Sequence, residues 1–243
     1  MVRASSADQR ALLDLQALDT RLAQLAHERR RLPVLTTLTD LEAHRSKLDA
    51  ERVQLTAQLA DQRRELARAE GDVDQVRSRS ERHQDRLQSG GTSARDAQAL
   101  QAEIEHLAVR ASVLEDQQLE VMERVETTEE KMGQARTALE SVGERVAAAE
   151  SDRDAEFARI DADAAEIQQQ RDSIAEALPS DLMALYERIR EDTGGLGVIG
   201  LRNKRSEPVH IEFSLTELAD FHAAPEDRVV VSDEHGFIIV RLS

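Results

Sequence analysis

The sequence predicts a mainly α protein: a long antiparallel coiled-coil hairpin followed by a small C-terminal α+β module. Three observations predict it. Apolar residues recur in steps of four and three along two stretches of nearly equal length, about 8–88 and 94–178. The linker Ser89-Gly90-Gly91-Thr92-Ser93 joins them, and paired glycines tolerate the positive φ of a tight reversal. The composition suits long helices, with aromatic residues at 2%, charged residues at 33% and no Trp among 243 residues.

The first arm begins with a seam of Ala11, Leu15, Leu18, Leu22, Leu25 and Leu32, with Arg29 in the missing turn. Leu12 and Leu13 widen that stripe, which implies packing against more than one neighbour, or a surface open to partner helices. Pro33 removes a helical hydrogen bond and predicts a kink near 33. Thr36, Thr37 or Thr39 is placed to cap the helix that follows. Its seam holds Leu41, Leu48, Leu55, Leu59, Leu66, Ala69, Val73, Val76 and Leu87. Arg45, Arg52, Gln62, Ser80 and His83 interrupt it, so the packing is expected to loosen toward the tip at 89–95.

Thr92, Ser93 or Asp96 caps the return arm. There the repeat is regular from Leu100 and Ile104 through Val121 and Val125 to Val146 and Ala149. After Arg153 the step to Phe157 is four where three is due, a stutter that locally unwinds a supercoil. At about 1.5 Å per residue each arm extends on the order of 120 Å.

Pro179-Ser180-Asp181 closes the hairpin domain, 1–178, and opens a short helix over 182–190. Thr193-Gly194-Gly195-Leu196-Gly197 reads as a flexible joint, which sets a connecting segment at 179–197. The final domain, 198–243, shows strand-like runs at 208–213, 228–231 and 237–242. Between them Ser214-Leu215-Thr216-Glu217 is a capping box, and Asp233-Glu234-His235-Gly236 is a tight turn.

A formal net charge of −16 disfavours broad contact with phosphate backbones. With no Cys, disulfides and thiolate metal sites are excluded. No stretch has the length of a membrane span and the first thirty residues lack a signal-peptide apolar run, so cytoplasmic residence is the default expectation. His27, His44, His83 and His106 have no paired ligand at helical spacing. Asp233 and Glu234 beside His235 read as a solvated turn. No nucleophile elbow, P-loop or zincin motif is present, and catalysis is not expected. The run Arg202-Asn203-Lys204-Arg205, with Arg241, is the best local candidate for contact with nucleic acid or another partner.

The helical hairpin, then Leu178-Pro179 through Leu185-Tyr186-Glu187-Arg188-Ile189-Arg190, a Gly-rich joint and a small terminal module resembles the bacterial C4-type zinc ribbon proteins (DUF164 type). The ending Val230-Val231-Ser232-Asp233-Glu234-His235-Gly236-Phe237 is similar to the family's second Cys-x-x-Cys knuckle within flanking strands. The resemblance places four zinc ligands at Ser206, Val209, Ser232 and His235, of which only His235 is a zinc-binding type. It therefore implies a ribbon fold whose zinc is lost, with no metal and no cofactor. It also implies a non-enzymatic adaptor or chaperone-like protein with a protein partner, a second copy of the chain included. The alternative is a nucleic-acid-binding regulator acting through the terminal module.

Overall fold

The structure is a computed structural model that describes residues 2–202, 205–207 and 209–242. It is mainly helical, with a long helical hairpin and a small C-terminal sheet module. The elements run α1 (Ser6–Arg30), α2 (Pro33–Gln88), α3 (Ala94–Ala177), α4 (Ser180–Asp192), β1 (Val198–Arg202), β2 (Arg205–Glu207), α5 (Leu215–Ala223), β3 (Val230–Val231) and β4 (Ile238–Leu242). They divide into two compact units, residues 36–150, and residues 1–35 together with 151–243.

In the unit 36–150, α2 and α3 lie antiparallel. Leu55, Leu59 and Val73 of α2 are buried with Leu107, Leu114, Val121, Val125, Val142 and Val146 of α3, at the positions the heptad spacing assigns to the seam. Flanking ion pairs follow the same register: Arg63–Glu129 at 2.6 Å, Arg124–Glu65 at 2.8 Å, Arg77–Glu115 at 2.7 Å and Arg79–Glu103 at 2.8 Å. Exposed pairs of this kind contribute about 0–1 kcal/mol each, so they set alignment more than stability. At the tip Gly90 and Gly91 take φ of 71° and 99°. Ser93 caps α3: its hydroxyl accepts from the Asp96 amide and donates to the Asp96 carboxylate.

In the second unit, α1 packs on the end of α3. Leu25, Leu32 and Ile160 form a small core with Phe157, and the Arg29 guanidinium lies 3.8 Å from the Phe157 ring centroid. The break at Pro33 is short. α2 starts on the proline itself, whose missing N–H is no loss at the first helical position, so none of the threonines at 36, 37 and 39 serves as the N-cap.

The larger core joins Leu12 and Leu15 of α1 to Leu182, Tyr186 and Ile189 of α4 and to the apolar residues of β1 and β4. Leu12 is fully buried there, so it is not a free surface for partner helices; the widened stripe covers a second neighbour. The sheet has strand order β2-β1-β4-β3, with β1 and β4 parallel and the other pairs antiparallel. Residues ahead of α1 are stitched onto this module: the Ala4 amide donates to the Asp227 carbonyl at 2.9 Å, and the backbones of Arg3 and Arg228 pair as an isolated antiparallel β-bridge.

One expectation about the strands is corrected. The strand expected over 208–213 is absent across 209–213, and Pro208 lies outside the described residues; the Ser206 hydroxyl engages the Val209 carbonyl and the Ile211 amide, which bends that segment locally. The buried strand is instead β1, next to β4 in a pairing too distant in sequence to leave a local signal.

Burial separates the leucines energetically. Leu12→Ala is expected to destabilise the protein by about 2–5 kcal/mol. Leu119→Ala, at a residue 55% exposed, is expected to stay within roughly 0.5 kcal/mol. Urea unfolding of the two variants checks the difference.

Candidate functional site

Gln16 and Asp19, one turn apart on α1, meet the Leu185–Arg190 stretch of α4. The buried Asp19 carboxylate accepts from Arg171 Nε of α3 at 2.6 Å and from the Tyr186 hydroxyl at 2.7 Å, with Arg190 Nε 3.6 Å away. Glu187 completes the group by pairing with both Arg171 and Arg190. Burial, then the hydrogen bond to Asp19, pushes the Tyr186 phenol far above its ordinary range, and it stays protonated as a donor. The bond to Asp19 likewise raises the Arg171 guanidinium.

Gln16 fixes the segment that the sequence reads as a flexible joint. Its Oε1 accepts from the Gly197 amide at 2.6 Å, and its Nε2 donates to the Gly195 carbonyl at 2.9 Å. A Cβ on Gly197 would lie 2.5 Å from Tyr186 Cε2. The glycine there permits close packing on the ring, so this joint is a clamp.

The four positions to which the resemblance assigns zinc ligands do not fit that ion. Structural zinc takes four N or S donors at about 2.0–2.3 Å. Ser206 is buried, and its hydroxyl accepts from the Ile211 amide and donates to the Val209 carbonyl, both at 2.6 Å. Val209 offers no side-chain donor and is exposed. Ser232 is fully buried; its hydroxyl accepts from the His235 amide at 3.1 Å and donates to Glu217 Oε1 at 3.4 Å. Each serine thus staples its own turn. The His235 ring stacks on Phe237 with centroids 5.6 Å apart and meets Phe213 edge-on at 5.5 Å.

Glu217 is the residue the sequence assigned to capping alone. Its Oε2 accepts from the Ser214 amide at 3.0 Å and hydroxyl at 2.9 Å. Those bonds, the amide's first, hold its carboxyl below the usual carboxylate range. The fold also carries it to Glu234 and His235, a proximity no local spacing announces.

Among the described residues the basic candidates are not gathered into a patch. Arg202 and Arg205 face one another as register partners across β1 and β2, both exposed, with Glu207 at 3.9 Å from Arg202. Lys204 lies outside the described residues. The Arg241 guanidinium is already engaged: it donates to the carbonyls of Phe221 at 3.2 Å, Pro225 at 2.7 Å and Ala224, and so caps the end of α5. Among the described residues no helix is long and apolar enough to cross a membrane.

An antiparallel coiled-coil hairpin combined with a four-stranded terminal module defines the class of protein. Residues 15–194 match the CT398-like coiled coil hairpin domain, and the chain belongs to that family. It is 34% identical over 241 residues to an uncharacterized protein of Mycobacterium tuberculosis, covering 99% of this chain and 98% of that one. A solved structure from Mycobacterium smegmatis is similar at TM-score 0.87 and 31% identity, over 99% of this chain and 100% of its own. CT398 from Chlamydia trachomatis shares the fold at TM-score 0.70 and 15% identity, over 97% and 98%.

Two outcomes follow from these contacts. Arg171→Leu strands a buried carboxylate and is expected to cost about 3 kcal/mol or more, by urea unfolding. Because the folded Glu217 carboxyl is depressed, its contribution is present above the unfolded pKa and is lost as pH falls through the lower folded value. Acid unfolding followed by circular dichroism is expected to show this loss below pH ~4.5, and Glu217→Gln to flatten it.

Proposed function

We propose that this protein is a non-enzymatic adaptor that binds a protein partner through the outer face of its coiled coil. The observation that supports this reading is the set Val109, Val113, Leu119 and Met122 on α3, with Val113 at 43% and Val109 at 67% exposure. Heptad positions are satisfied by the seam, so these four do not serve hairpin closure. Exposed apolar side chains on a long helix suit helix-to-helix or groove docking. The terminal module is the second docking element of the proposal. The nucleic-acid reading keeps only Arg202 and Arg205 among the described basic candidates, and no aromatic platform accompanies them.

Affinity capture with the full chain, compared with a Val109→Glu/Leu119→Glu double variant of unchanged helicity, tests the proposal. A specific protein retained by the native chain and lost by the variant supports it. Equal retention, or none, overturns it.

A further inference from the structure

The turn between β3 and β4 and the first turn of α5 bring together a mixed ligand set. One donor atom from each of Glu217, Glu234 and His235 lies within 4.8 Å of the others. The set pairs an imidazole with two carboxylates, so it is not merely an acidic patch. The imidazole is oriented by its ring contacts with Phe237 and Phe213. Its Nε2 is shielded from solvent and has no hydrogen-bond partner among the described residues. The capping box occupies Glu217 Oε2, while Oε1 has only the long contact with Ser232.

We propose that Glu217, Glu234 and His235 form an exchangeable site for a divalent first-row transition ion such as Zn²⁺, with water completing its coordination. Imidazole with carboxylate suits that class, whereas Mg²⁺ and Ca²⁺ take all-oxygen shells. Ser206, Val209 and Ser232 contribute no ligand, so this differs from a four-ligand structural zinc centre. The serine staples hold their turns without the ion. Bound metal cross-links α5 to the β3–β4 turn and stabilises the module by linkage. The site does not depend on the adaptor reading.

The test is a Co²⁺ titration of chelator-stripped full-length protein in excess Mg²⁺, followed by visible absorption and calorimetry. The expected result is one Co²⁺ per chain, displaced by Zn²⁺ and bound at least about tenfold more weakly by His235→Asn and by Glu217→Gln. Gln still serves in a capping box at the Glu217 position. Should His235→Asn fail to fold, Glu234→Gln at an exposed turn position replaces it under the same criterion. Absence of saturable uptake at one ion per chain overturns the proposal. So does uptake that the substitutions leave unchanged, which is adventitious binding to an acidic chain.

Discussion

A buried carboxylate on α1 governs how the second unit is organised. Asp19 has a side chain 6% exposed and receives bonds from α3 through Arg171 and from α4 through Tyr186. An ion at such a place is costly unless every lone pair finds a donor. The partners that meet this demand come from two other helices, so the relative placement of all three follows from satisfying one group. Gln16, one turn earlier, extends the same logic to Gly195 and Gly197 and thereby fixes the entry into β1. Polar satisfaction here specifies geometry, while the surrounding Leu12, Leu15, Leu182 and Ile199 supply the apolar burial.

Much of the helical architecture is legible in the sequence because its signals are local. The seam leucines, the Gly90-Gly91 reversal and the Ser214–Glu217 capping box each depend on residues within a turn or two. Leu12 beside the first seam even anticipates a second neighbour. The terminal sheet is less legible. β1 pairs in parallel with β4 some forty residues later, and Val198-Ile199-Gly200-Leu201 carries no alternation because most of it is buried. The Gly-rich segment ahead of it reads as slack since glycine is permissive in isolation. Only Tyr186 lying against Gly197 reveals that the small residue is there for contact.

The terminal module also shows how serine hydroxyls can hold tight turns. Such a turn needs acceptors for inward-pointing amides, and a hydroxyl can fill that role. Ser206 serves Ile211, and Ser232 serves His235. Phe213 and Phe237 flank the His235 ring, and Phe221 packs edge-on against Phe213, which adds apolar contact that a fifty-residue segment otherwise lacks. Further support comes from outside the module, through Val2, Ala4 and Gln9, which hydrogen-bond residues 226–229. An isolated terminal segment would lose those bonds, so its stability belongs partly to α1.

Glu217 illustrates why site residues are harder to read than fold residues. In the sequence it has a complete local explanation, since the capping box accounts for its type and spacing. That explanation uses one carboxylate oxygen. The other accepts only a long hydrogen bond from Ser232 and faces what the fold delivers, the β3–β4 turn. A local rule that fully explains a residue therefore does not exhaust its chemistry, because a bidentate group can serve a helix terminus and a tertiary neighbour at once. The same holds in reverse for Arg241: a cation that looks available in the sequence is consumed by the carbonyls at the end of α5.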